Sequence, residues 1–418
     1  MGRVARRRNR RKKEIYPSYN SDLISFIHWL LSKGWKPTIK MKLKHFPDTG
    51  RGFMAMEPVF SGEIIVKMPK ELVISAKTVE NSRLGEIFLN QNLKVPVHLV
   101  LSAFLMYEKH LCEQSDWHRY IVLLPENYSS PLFCSDKDLE NFPPFLTEKV
   151  KTMKRSVYHM FEMLLNLSEF KKCKHCNKDF HQIFSYCDFL WAWFTVNSRV
   201  VYLSPQENFV HSIPLSDVNS IALVPYLDML NHSNHARITA KFSFDKGYEL
   251  KSLVPFKKYD QVFIHYGSHD NFKLFLEYGF IIPNNINDSV HLLVTDIISA
   301  IDTSVTVNNV LSLENCQCFL KNLYCTSEGL SWNCRALLYL LLVKDLSIKA
   351  ALQNVYSGSI SAYDLERIAD IEKNILSKKI KDISNIVSKL HSKGNIISIG
   401  KDLFQFYVIM LNKALSCR

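Results

Sequence analysis

Leu23, Phe26, Ile27, Leu30 and Leu31 recur at helical spacing from Ser21 to Lys33, with Ser21 placed to cap that helix and Gly34 to stop it. The pattern changes between Met41 and Ser75. There Gly50, Gly52, Pro58, Gly62 and Pro69 punctuate short apolar runs such as Ile64-Ile65-Val66, which predicts strands and tight turns. Helical periodicity returns over 97–200, in Val97 to Leu111, Val150 to Leu167 and Gln182 to Val200. Residues 221–282 read as strands again, with a hairpin of Arg237 to Phe244 and Tyr248 to Val254 around Asp245-Lys246-Gly247, and a third strand at Gln261 to Tyr266. Beyond residue 300 the pattern is helical. Its longest helix spans Ser361 to Leu390, and Gly394 and Gly400 are expected to separate it from a last helix, Lys401 to Ser416. Strands, a helical insert, strands and a helical module, in that order, predict an α+β fold. A doubly wound sheet would alternate strands and helices throughout.

The chain has 418 residues, 47% of them hydrophobic and 22% charged, close to globular averages. No run of apolar residues is long enough to span a bilayer, so no membrane partner is expected. The formal charge is +12, but eight basic residues and no acidic one lie in the first 13 positions. Residues 1–20 therefore read as a basic flexible arm, suited to an import receptor or to nucleic acid. The basic start leads into polar residues rather than an apolar core, so a secretory signal is not expected. The Asn-x-Ser triplets at Asn127, Asn166, Asn231 and Asn287 are then expected to stay unglycosylated.

Glycine is scarce, at 13 residues, roughly half the usual share. Four of these glycines fall in short motifs. Thr49-Gly50-Arg51-Gly52, with Ala55, matches G-x-G-x-x-A, but Pro58 and Gly62 interrupt the helix that a dinucleotide site needs. What remains is a plain turn, or a turn whose bare backbone lets a ligand come close. In Pro225-Tyr226-Leu227-Asp228-Met229-Leu230-Asn231-His232-Ser233 a polar Asn-His pair follows an apolar run. That is either a strand end with a turn-forming Asn, or an amide and a ring that recognise a polar ligand. Tyr266-Gly267 precedes Tyr278-Gly279-Phe280, and tyrosines in such a context usually anchor packing.

In this order the motifs resemble those of SET-domain protein methyltransferases, in the class of the plant Rubisco large-subunit methyltransferase, over about residues 21–415. The resemblance implies a SET domain over 21–282, interrupted by a helical insert at about 97–200, and an all-helical substrate-binding module over 283–418. It implies S-adenosylmethionine as cofactor, held by Gly50, Arg51, Gly52, Arg199, Asn231 and His232, with Asp228 and Tyr266 as further contacts. Tyr266 and Tyr278 match the two tyrosines of the methyl-transfer channel. The implied activity is protein-lysine N-methylation, with histone tails as the expected substrate class and the nucleus, the cytoplasm or both as its place. A related branch methylates histidine, and a non-catalytic adaptor that binds peptide or nucleic acid would keep the same fold.

These residue types suit the chemistry. Free lysine has a pKa of ~10.4 and arrives protonated, so an apolar channel that favours the neutral amine helps the attack. A tyrosine hydroxyl, here Tyr278, can orient the lone pair without being a strong base. The planar guanidinium of Arg199 matches a carboxylate.

Cys173-x2-Cys176-x4-His181-x5-Cys187 is near a zinc knuckle, but its last spacing is one residue long and the knuckle glycine is missing. Cys316-x-Cys318 with Cys325 and Cys334 lies beyond Tyr266 at a different spacing from the zinc-binding tail of other SET proteins. Both sets are expected to be free thiols, with no bound metal. The aromatic stripe of Phe189, Trp191, Trp193 and Phe194 carries no interleaved base and is expected in the core.

Overall fold

The structure is a computed structural model and describes residues 18–89, 93–169, 171–203, 212–217, 220–243, 245–301, 314–343, 346–390 and 394–417. The basic stretch of residues 1–13 lies outside the described residues. In chain order the main elements are α1 (Ser18–Ser32), β1 (Met41–Phe46), β2 (Gly50–Ala55), β3 (Ile64–Met68), α2 (Val97–His110), α3 (Pro144–Leu167) and α4 (Tyr186–Arg199). Then come β4 (Val200–Leu203), β5 (Ser220–Leu223), β6 (Asn231–His232), β7 (Ile238–Ser243), β8 (Gly247–Ser252) and β9 (Phe263–Ile264). The chain finishes with β10 (Val290–His291), β11 (Tyr324–Thr326), β12 (Gly329–Leu330), α5 (Trp332–Leu342), α6 (Ile348–Ser357), α7 (Ala362–Lys389) and α8 (Asn395–Ser416).

Packing divides the chain into two units, one of residues 1–127 and 157–265, the other of 128–156 and 266–418. The first holds the small sheets. β1 and β2 form an antiparallel hairpin with Phe46 opposite Gly50 and Met41 opposite Ala55. β8 lies between β3 and β7, and a bulge interrupts its pairing with β3 at Ile64 to Val66. The expected hairpin is present, with Ser243 opposite Gly247. The expected strand at Gln261 to Tyr266 is paired only at Phe263–Ile264, where β9 runs parallel to β6. α4 packs on α2, and its aromatic stripe is core, with Phe189 and Phe194 fully buried and Trp191 and Trp193 nearly so. α1 turns Phe26 and Leu30 inward, and its rings meet Tyr120 and Trp117. Leu31, expected on that stripe, is exposed.

Among its described residues the second unit is mainly helical and carries a small antiparallel sheet, β10-β11-β12, whose two- and three-residue strands are too short to leave a periodic signature. α7 and α8 pack along each other, burying Ile368, Ile375, Leu376, Leu403, Phe404 and Leu411. Gly400 does not separate these helices. It lies inside α8, where an added Cβ would stand 2.4 Å from the Phe142 ring, so glycine is there for close packing. Among the described residues no helix is long and apolar enough to cross a membrane.

Candidate functional site

β2 carries the Gly50-Arg51-Gly52 motif, and two side-chain amides bracket it. Asn231 Nδ2 donates to the carbonyls of Thr49 and Arg51, at 3.3 and 3.1 Å. Thr49 Oγ1 donates to Gln261 Oε1 at 2.8 Å. This approach requires glycine at 52, because an added Cβ would stand 2.4 Å from Gln261 Nε2 and 2.6 Å from Asn231 Nδ2. Arg51 reaches away to donate from Nη2 to the Leu123 carbonyl.

Arg199 ends α4, immediately before β4. Its Nη1 donates to the Asp228 backbone carbonyl at 2.8 Å and to Asp228 Oδ2 at 3.2 Å. Tyr120 donates its hydroxyl to the same Oδ2 at 2.8 Å. The Asp228 side chain is wholly buried, and burial pushes its carboxyl above the ordinary range while Arg199 and Tyr120 pull it back. Asp228 is thus placed to hold Arg199.

The turn that aims Asp228 inward follows a strained residue. Tyr226 adopts φ +75°, a conformation that costs a bulky side chain ~1–3 kcal/mol. Its buried ring is clamped by Phe53 at 4.4 Å and Trp35 at 4.8 Å. Leu227 to Met229 then form one tight turn that delivers Asn231 and His232 into β6. His232 is buried, with its Nε2 3.1 Å from Asn234 Oδ1 and its ring edge-on to His265.

The first unit therefore brings together Gly50, Arg51, Gly52, Arg199, Asp228, Asn231 and His232, expected from positions up to 182 residues apart. Among the described residues, Gln261 Nε2 and Asp228 Oδ1 of this cluster are buried without a hydrogen-bond partner. A buried unsatisfied donor and acceptor beside a glycine-bared strand fit a polar ligand that carries both kinds of group. The sequence assigns no site role to Tyr120, Tyr226 or Gln261. Tyr226 stood inside a quoted motif, but nothing local marks a positive φ, and the other two act only through distant partners.

In the second unit Tyr266 and Tyr278 stack with ring centroids 5.3 Å apart, and both meet Phe280 edge-on. Tyr278 closes a π-helical turn, Leu274–Tyr278, of the kind often found at functional positions. A buried amide network fixes the segment between them. Asn271 donates from its backbone N–H and from Nδ2 to the two oxygens of Asp288, at 2.6 and 2.7 Å, and accepts from Ile282 N. Asn285 Nδ2 donates to the His269 carbonyl.

The expected knuckle ligands are not gathered as spaced. Cys173 and Cys176 come together with His110, at the end of α2, while His181 and Cys187 are outside this cluster. Cys325 and Cys334 are buried, and Cys318 is exposed.

A SET-domain family model matches residues 50–267, just over half of the chain. SET domain-containing protein 4 of Homo sapiens is 28% identical over 397 residues, 93% of this chain and 89% of that protein. Its namesake from Artemia parthenogenetica is 30% identical over 88% of this chain and 89% of its own. Actin-histidine N-methyltransferase of Mus musculus is 25% identical over 60% of this chain and 41% of that protein. Among solved structures, Rubisco LSMT bound to AdoMet superposes with a TM-score of 0.62 at 20% identity, covering 95% of this chain and 91% of that one. At that identity the likeness speaks for the fold.

Proposed function

The chain belongs to the SET-domain family of protein methyltransferases, in the class of the Rubisco large-subunit enzyme, and on that premise we propose that it methylates a lysine side chain in a protein. The observation that carries this reading is the amide bracket on β2, in which Asn231 spans the carbonyls of Thr49 and Arg51 while Gln261 Nε2 keeps an unspent hydrogen-bonding capacity. S-adenosylmethionine, when bound, supplies an electrophilic sulfonium methyl.

The residues of this chain do the rest. Gly50 to Gly52 expose backbone for close approach, and Asn231 and His232 offer polar contacts. Arg199 presents a guanidinium suited to a carboxylate, and Asp228 with Tyr120 orients it. Tyr278 is assigned to orient the neutral amine, with its ring stacked on Tyr266, which is proposed as a further cofactor residue. Placing reacting groups in attack geometry lowers a barrier by up to ~7–11 kcal/mol, so positioning rather than a strong base can carry the step.

Lysine is preferred to histidine as acceptor because the SET domain of LSMT, solved bound to lysine and AdoHcy, superposes over 96% of this chain, whereas the actin-histidine enzymes align over 60%. Histone tails remain the proposed substrate class, and the basic residues 1–13 support a nuclear place for the chain alongside the cytoplasm. The test is methyl transfer from labelled S-adenosylmethionine into a lysate, followed by mapping of the modified residue. Labelled lysine is expected. Labelled histidine would overturn the acceptor assignment, and no labelled protein would favour the non-catalytic adaptor.

A further inference from the structure

The segment after α3 makes a tight loop whose geometry does not serve the amide bracket or Arg199. Lys172 pairs antiparallel with Asp179. Within that pair Cys173 N donates to Lys178 O at 2.9 Å and Asn177 N donates to Cys173 O at 2.8 Å. Asn177 has φ +55°, so it takes the left-handed position where a knuckle usually carries glycine, a conformation Asn tolerates. The missing glycine is therefore no obstacle to a knuckle turn, and Cys173-x2-Cys176 brings its two sulfurs within 4.8 Å of each other.

The third group comes from another element. His110 lies in the last turn of α2, 63 residues before Cys173. Its Nε2 is 3.5 Å from Cys176 Sγ and 3.8 Å from Cys173 Sγ, and all three atoms lie within 4.8 Å of one another. A tetrahedral zinc with ordinary Zn–S and Zn–N lengths sets its sulfur and nitrogen ligands roughly 3.5 Å apart, so these atoms already mark three corners of such a site. Tyr107 OH is 3.7 Å from Cys173 Sγ, and the backbone N–H groups of His175 and Cys176 face the same sulfur. Lys171, Lys172, Lys174 and Lys178 line the loop with positive charge.

We propose that His110, Cys173 and Cys176 bind one zinc ion, with water completing the tetrahedron, and that the ion clips the loop after α3 to the end of α2. Two thiolates and an imidazole are a ligand set that zinc takes readily. His181 and Cys187, which the local spacing offered as ligands, take no part.

The test uses the full chain purified from zinc-supplemented medium without chelator. Elemental analysis is expected to give one zinc per chain. Cobalt added to the stripped protein is expected to give a thiolate-to-cobalt charge-transfer band. Cys173→Ser with Cys176→Ser, and separately His110→Ala, should bring zinc to background, while His181→Ala and Cys187→Ser should leave it unchanged. Variants that misfold do not decide the question, because the cobalt spectrum is read on the wild-type chain. Absence of both stoichiometric zinc and the charge-transfer band in that chain would overturn the proposal. So would zinc retained by the double-serine variant, or zinc lost with His181 or Cys187.

Discussion

Gly52→Ala tests the amide bracket by changing one methyl group. The added carbon would stand 2.4 Å from Gln261 Nε2 and 2.6 Å from Asn231 Nδ2, far inside van der Waals contact. Both amides must retreat by roughly an ångström to reach an ordinary separation. Asn231 then loses its 3.1 Å bond to the Arg51 carbonyl, and Gln261 is pulled from Thr49. Overpacking of this kind costs about 1–3 kcal/mol of stability. Misplacing amides that hold a cofactor costs a further ~1–3 kcal/mol of binding, roughly a 5- to 150-fold weaker Kd for S-adenosylmethionine.

The control is Gly62→Ala, in a turn where φ is +90° and an added Cβ meets nothing within 4 Å. That substitution suffers only the left-handed strain of about 1–2 kcal/mol and leaves the bracket alone. Calorimetric titration with S-adenosylmethionine, beside thermal melting, separates the two effects. Both variants should melt lower, and only Gly52→Ala should bind weakly. Equal affinities in the two variants would refute the bracket as the cofactor's support.

Two further outcomes are expected. Tyr278→Phe removes a hydroxyl and keeps the stacked ring, so cofactor affinity should hold within a few fold while turnover at saturating substrate falls by ~10²-fold or more; near-normal turnover would move the orienting role to Tyr266. Burial raises the Asp288 carboxyl from 3.8 to about 6, partly opposed by bonds from Asn271, so the folded chain holds this proton more tightly than the unfolded one. Its contribution is fully present below pH ~4 and is lost as pH rises through about 6, a swing of ~3 kcal/mol. Chemical denaturation should show that slope flattened in Asp288→Asn between pH 4 and 7, and parallel profiles would count against it.

The sequence shows what local physics shows. The β7–β8 hairpin follows from the apolar runs around a glycine turn, and α4 from helical periodicity, although the helix begins at Tyr186 behind a Ser185 cap rather than at Gln182. The glycine-poor composition made Gly50, Gly52, Gly267 and Gly279 conspicuous. Spacing failed where a partner is supplied by another part of the chain. Tyr120 meets Asp228 across 108 residues, Thr49 meets Gln261 across 212, and His110 meets Cys176 across 66. The local knuckle pattern named His181 and Cys187 because they are near in sequence, whereas the fold delivers a histidine from a different helix.

Tyr226 shows why such sites escape local rules. Its positive φ is unfavourable in isolation, and no propensity argument would place a tyrosine there. Rings from Trp35 and Phe53 hold it, and both belong to segments far from residue 226 in sequence that the fold brings against it. Phe53 is the neighbour of Gly52 on β2, so the ring that fixes the strained turn and the glycine that admits Asn231 are set by one strand. The turn then directs Asp228 inward to Arg199 and Tyr120, and Asn231 back toward the carbonyls of that same strand. The strain is maintained by packing over the whole unit and yields a pair of oriented polar groups, which is how conformational cost and function come to share a residue.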